Sequence, residues 1–243
     1  STGEGKDRKV TWAPSFRVQD STNIDPDPEV LAAVERYEAM LSKEPDVEMG
    51  TTATELDSRP ITIRSQEAAI GNLIADAIRA STGADIAITN GGGIRANRLY
   101  PAGTKLTRRD ILSELPFGNT TSMVEIAGVD IKDALENGVS RYQQGAGRFP
   151  QVSGLRIEVD AKAPVGSRIV KIEVNGEPLD PAKKYRVATN NFMLAGGDGY
   201  TAFVHGRVLI GATDGNLLAN EVMAYMRNKG TVDPKVEGRI VIR

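Results

Sequence analysis

The sequence predicts an α+β protein with mixed β-sheets and helices on the outside. Three observations carry that expectation. Short apolar or alternating runs such as Ile86-Ala87-Ile88 and Ile169 to Val174 read as strands. Amphipathic stretches, clearest from Glu67 to Ala80, read as helices. The two kinds of segment are interspersed without a strict βαβα order.

In chain order, residues 1–26 carry scattered apolar side chains (Val10, Trp12, Phe16, Val18) and suggest a short strand or two pairing outside this segment. Asp27-Pro28 is a helix start, with Asp27 as N-cap and Pro28 at the first helical position. Val30, Val34, Tyr37 and Leu41 then share one face of a surface or connecting helix that Pro45 closes. Val47 to Glu55 is Thr-rich and reads as a strand, and Ile61 and Ile63 alternate with Thr62 and Arg64 in a second. From Glu67, residues Ile70, Leu73, Ile74, Ala77 and Ile78 form a helical stripe ended by Gly83. Gly71-Asn72 within it costs about 1 kcal/mol of helix propensity, which close packing against a neighbour would justify.

After the strand at Ile86 the chain breaks into Asn90-Gly91-Gly92-Gly93 and delivers Arg95, a planar fork of donors suited to carboxylate or phosphate. Thr107 with Asp110 is a capping box, and its short helix runs out at Pro116. Leu115-Pro116-Phe117-Gly118-Asn119 displays an aromatic between two backbone breakers, although the usual fate of a Phe is the core. Met123 to Ile126 is a strand, Gly128 a turn, and Asp130 to Tyr142 a helix. Val152, Leu155, Ile157 and Val159 read as one strand, and Ile169 to Val174 as another ending in the hairpin signal Asn175-Gly176. Tyr185 to Thr189 is a strand that empties into a second glycine-rich loop, Asn190 to Tyr200, holding Phe192 and Asp198. A helix from Asn216 to Arg227 and a strand from Arg239 to Ile242 complete the chain. The expected division is 1–44, tail and linker, and 45–243, one domain.

Composition narrows the chemistry. The 243 residues are 40% hydrophobic, enough for a sizeable core. Net charge is −2 with no basic block, which argues against binding a nucleic-acid polymer. Cysteine is absent, so no thiol nucleophile or thiolate metal site exists. No apolar run approaches the ~20 residues of a membrane span. No signal peptide is visible at Ser1, and STGEGKDRK looks like the interior of a longer protein. The single histidine, His205, argues against a histidine-rich metal centre, and no GxSxG elbow accompanies it; it reads as a surface residue.

The loops together supply two candidate stacking rings, Phe117 and Phe192, two arginines, Arg64 and Arg95, and the polar groups Asn90, Asn119 and Asp198. That set suits a flat heteroaromatic ring bearing a sugar: base stacking on an aromatic is worth about 1–3 kcal/mol per ring. A carboxylate can accept from both ribose hydroxyls.

NGGGIR, LPFGN and NFMLAGGDGY, in this order and spacing, resemble the C-terminal substrate-binding domain of the 5′-nucleotidase family, which includes UDP-sugar hydrolases and cyclic-nucleotide phosphodiesterases. The resemblance covers nearly all of residues 45–243. It implies that Phe117 and Phe192 sandwich the base, that Asp198 binds the ribose hydroxyls, and that Asn90 and Asn119 contact base or sugar. Arg64 and Arg95 would hold the phosphate. It also implies an N-terminal metallophosphatase domain with two divalent metal ions, a partner whose His- and Asp-rich motifs are absent here. This chain is then expected to recognise a nucleotide or nucleoside without hydrolysing it, in a periplasmic, secreted or cell-surface protein. No cofactor and no catalytic residue is expected within the chain. The alternatives are a stand-alone binding or scaffold domain, and metal-free chemistry by Asp198 with the arginines, for which no activated nucleophile is evident.

Overall fold

The computed structural model describes residues 24–41 and 46–243. The strands expected around Val10 to Val18 and the helix stop at Pro45 lie outside the described residues. The chain divides into two compact units, 1–45 and 46–243. In the first, helix α1 (Pro28–Leu41) begins as expected: Asp27 Oδ1 accepts from the amides of Glu29 at 2.9 Å and Val30 at 3.2 Å.

In the second unit the elements run β1 (Glu48–Thr52), β2 (Leu56–Asp57), α2 (Pro60–Ile63), α3 (Ala69–Thr82), β3 (Ile86–Asn90), β4 (Leu99–Tyr100), β5 (Lys105–Thr107), α4 (Arg108–Glu114) and β6 (Thr121–Ala127). Then follow α5 (Gly128–Val139), β7 (Pro150–Ser153), β8 (Leu155–Val159), β9 (Ile169–Val174), β10 (Glu177–Pro178), β11 (Lys184–Asn190), α6 (Asn191–Leu194) and α7 (Thr201–Val204). β12 (Arg207–Ile210), α8 (Leu218–Lys229), β13 (Thr231–Val232) and β14 (Ile240–Ile242) end the chain.

A five-stranded sheet in the order β12-β6-β11-β3-β7 is the centre of this unit. Only the β11–β3 pair in it is parallel, so the sheet is mixed. β3 is buried on both faces, which is why it reads as a continuous apolar run. Ile86 and Ile88 enter one core with α5 and the four-stranded sheet β10-β9-β8-β14. Ala87 enters the other, with α3 and α8. The α3 stripe is buried as its spacing predicts, each fully buried Leu or Ile contributing about 1.5–3 kcal/mol. Gly71 in α3 lies directly against the Gln151 side chain, so a Cβ there would overlap it.

Two strand expectations fail for physical reasons. Ile61 and Ile63 are not in a strand but in the helical turn α2. Pro60 starts it, and Asp57 accepts from the Arg59 amide at 3.0 Å and the Thr62 hydroxyl at 2.7 Å. A strand would put both isoleucines on one face; the turn leaves Ile61 79% exposed and Ile63 fully buried. Val152 to Val159 is likewise two strands. Gly154, at φ +68°, ends β7 beside β3 and sends β8 into the other sheet beside β9. Gly128, expected as a turn, is the first residue of α5. The Thr107–Asp110 capping box and the Asn175-Gly176 hairpin form as expected.

Candidate functional site

Sheet topology brings four loops to one edge. β3 and β11 are adjacent and parallel, so the loops leaving Asn90 and Asn190 emerge together. β6 runs antiparallel to β11 with Thr121 opposite Asn190, and β7 antiparallel to β3 with Pro150 opposite Asn90. The turn at 115–120 and the loop at 145–149 therefore enter the sheet at that same edge. Ligands in sheet proteins commonly lie beyond the carboxyl ends of neighbouring parallel strands.

Arg64 arrives by a different route. It caps α2, and the loop that follows is pinned by the buried Gln151 of β7. The Gln151 amide donates to the carbonyls of Ile63 at 3.1 Å and Gln66 at 2.8 Å, and its oxygen accepts from the Ala68 amide at 3.0 Å. The glycines of the first loop fit into what remains. A Cβ on Gly91 would strike the Ile63 carbonyl, and one on Gly92 the backbone of Gly147.

All seven residues singled out in the sequence line one cleft of about 380 Å³: Arg64, Asn90, Arg95, Phe117, Asn119, Phe192 and Asp198, with Gly92, Gly93 and Gly147. Both rings are exposed, Phe117 at 59% and Phe192 at 44%, so neither takes the usual place of a Phe in the core. Phe192 lies over Gly197, where any side chain would displace its ring. Phe117 carries the Arg95 guanidinium 5.5 Å from its centroid.

A chain of polar contacts sets the floor. Asn190 caps α6 by accepting from the Met193 amide at 2.9 Å and donates to Asn90 Oδ1 at 3.1 Å. Asn90 donates to Asp198 Oδ2 at 2.7 Å. Asn90 is 3% exposed, so its main task in this geometry is to orient the carboxylate rather than to meet a ligand. Asp198 is a non-glycine residue in left-handed backbone (φ 55°, ψ 16°). Its carbonyl accepts from Asn137 Nδ2 at 3.1 Å, and Arg148 in turn donates to Asn137 Oδ1 at 2.9 Å. Asn137, Arg148 and Gln151 had no sequence signal pointing to the site: Asn137 lies in a stretch read only as helix, and Arg148 and Gln151 in the unassigned stretch before Val152. Asn190 sits in the quoted second loop, and its capping role could have been suspected from the following helical turn.

The electrostatics are those of an anion site. Among the described residues neither Arg64 nor Arg95 has a salt bridge, and Arg64 Nε is buried without a hydrogen-bond partner. Burial and then the nearby Arg95 charge push the Arg64 guanidinium below its ordinary value, against the pull of Asp198. One carboxylate beside two guanidiniums is not a donor set for a divalent cation. Among the described residues no group of three or more His, Cys, Asp or Glu converges on a metal position. His205 is exposed on a loop.

Comparison with known proteins supplies the family. The family model for the 5′-nucleotidase C-terminal domain matches residues 48–205. The trifunctional nucleotide phosphoesterase protein YfkN of Bacillus subtilis is 38% identical over 230 residues, covering 90% of this chain and 15% of that protein. The 5′-nucleotidase of Diplobatis ommata is 32% identical over 241 residues, covering 91% of this chain and 41% of that protein. The crystal structure of a 5′-nucleotidase precursor from Thermus thermophilus superposes with a TM-score of 0.77 at 36% identity, over 88% of this chain and 42% of that one. The chain thus spans less than half the length of each of these relatives. It belongs to the 5′-nucleotidase C-terminal domain family.

Proposed function

We propose that the cleft binds a nucleotide, as the recognition domain of a metal-dependent phosphoester hydrolase. The observation that carries this reading is the convergence of two exposed rings, two guanidiniums without acid partners and one oriented carboxylate on a single cleft. Phe117 and Phe192 take the two faces of the base, and Asn119 meets its edge or the sugar. Asp198, already turned by Asn90, accepts from the ribose hydroxyls. Arg64 and Arg95, which line the cleft without carboxylate partners among the described residues, hold the phosphate.

This chain's residues bind and orient; hydrolysis belongs to a metallophosphatase domain of the same protein, where two divalent ions would activate water. Residues 1–44 are then the tail of that domain and a linker helix. The chain alone binds without turnover, and the parent protein works outside the cytoplasm, in periplasm, medium or cell surface. Among the described residues no helix is long and apolar enough to cross a membrane.

The test is calorimetric titration of AMP into the chain and into Phe117→Ala and Phe192→Ala. Each variant is expected to lose about 1–3 kcal/mol of binding while remaining folded. Full affinity in both variants rules out the sandwich, and no heat at millimolar AMP in the unmodified chain leaves a shared fold without nucleotide recognition.

A further inference from the structure

Glu114 ends α4 and is only 2% exposed. Its two kinds of acceptor act on consecutive residues of the arginine loop. The main-chain carbonyl accepts from the Arg95 amide at 2.9 Å, and Oε2 accepts from the Ala96 amide at 3.2 Å. The chain then passes straight from Glu114 into Leu115-Pro116-Phe117. One residue therefore grips the peptide that carries the guanidinium and begins the turn that carries the ring.

The carboxyl is an expensive choice for that place. Leu73, Ile74, Leu106, Ile111 and Val222 line the same small void. Burial pushes its pKa up, against the pull of the Ser58 and Tyr100 hydroxyls, the Ala96 amide and the more distant Arg98 charge. Oε1 and the Tyr100 hydroxyl are buried without a hydrogen bond of ordinary geometry. An apolar side chain there would spare the cost of burying the carboxyl but leave the Ala96 amide without its acceptor. What the buried carboxyl holds is the arginine loop, through the Ala96 amide.

We propose that Glu114 is a positioning residue, whose paired acceptors fix the Arg95–Ala96 peptide against the Phe117 turn so that guanidinium and ring meet one ligand together. This rests on the nucleotide reading of the cleft, in which Arg95 serves the phosphate and Phe117 the base. Removing the side-chain acceptor then frees Arg95 more than it disturbs stacking.

The experiment compares the unmodified chain, Glu114→Leu and Glu114→Gln by calorimetry with AMP and with adenosine, alongside thermal melting and amide hydrogen exchange. Glu114→Leu is expected to melt lower than the parent, because the Ala96 amide loses its acceptor, and in the folded protein to lose about tenfold in the ratio of AMP to adenosine affinity, the size of one charge-assisted contact. Glu114→Gln, which keeps an acceptor, retains the ratio. An unchanged ratio in folded Glu114→Leu, or a parallel loss for both ligands, overturns the proposal. Exchange in the unmodified chain gives a second reading if the leucine variant does not fold: the Arg95 and Ala96 amides should be protected, and rapid exchange at both contradicts the clamp. Failure of the unmodified chain to bind either ligand counts against the nucleotide reading, while exchange still judges the clamp.

Discussion

Arg239 and Arg64 are both partly buried arginines, and they are finished differently. Arg239 bonds to both oxygens of Asp76, at 2.6 and 2.9 Å, and also reaches Glu237 and the Val152 carbonyl. Those carboxylates raise its pKa despite burial. Arg64 has no salt bridge among the described residues and a buried Nε without an acceptor, and its pKa is lowered. A buried cation needs a paired, hydrogen-bonded anion. The first arginine finds it within the fold; the second has it still to find, and faces a cleft.

The same contrast holds for aromatics within one short stretch. Tyr200 and Phe203 are fully buried and stacked, with centroids 5.4 Å apart and planes at 21°. Phe192, a few residues earlier, is 44% exposed over Gly197. One set of rings holds the fold, and the other is free for a ligand.

Substitutions sharpen these pairs. Phe203→Ala should cost about 3–5 kcal/mol in denaturant unfolding, the penalty for emptying a core site. Phe192→Ala, measured the same way, should cost well under 1 kcal/mol, as for an ordinary surface change. A large loss there would place Phe192 among the structural rings and remove the contrast. Arg239→Met leaves Asp76 with the Ser153 hydroxyl but no cation and should destabilise by about 3 kcal/mol, whereas Arg64→Met should be near neutral because no carboxylate pairs with Arg64 within the described fold. A smaller effect is expected from Gly197→Ala: the fold persists, because only a side-chain ring must move, but adenosine binding weakens by about 1 kcal/mol as Phe192 is displaced. Retained affinity would mean that the ring's rest position is irrelevant.

A comparably small effect concerns acid. Asp57, held down to about 2 from 3.8 chiefly by hydrogen bonds from Arg59, anchors the turn that leads to Arg64. Its folded value lies below the unfolded one, so its stabilisation is present above pH 3.8 and is lost as pH falls toward 2. Arg59 is half exposed, and solvent screening reduces the contribution to about 1 kcal/mol. Asp57→Asn should therefore unfold less steeply than the parent over that acid range. An identical pH profile would remove Asp57 from the account.

The loops at Asn90 and Asn190 could be read as a site from the sequence because glycines and a charge follow strands there, whereas Phe117 follows a helix and Arg64 a helical turn, and it was the resemblance of the three motifs that joined them to the set. The α3 stripe and the Thr107 capping box were readable for the opposite reason, since their periodicity and spacing are local. What was not readable is non-local. The alternation of Ile61 and Ile63 mimics a strand, and only Asp57 and Pro60 acting together make it a turn. The break at Gly154 depends on two sheets competing for adjacent residues. Gln151, Asn137 and Glu114 reach the cleft through contacts 11 to 88 residues distant or through a single buried carboxylate, which no spacing rule reveals.

The central claim is that Arg64 is an unfinished ion pair completed by the phosphate of a bound nucleotide. Titrating AMP and adenosine into the unmodified chain and into Arg64→Met tests it most directly. The unmodified chain should bind AMP at least about tenfold more tightly than adenosine, and Arg64→Met should erase most of that difference while leaving adenosine affinity in place. Equal affinities for the two ligands in the unmodified chain, or a preference for AMP that survives Arg64→Met, would contradict it.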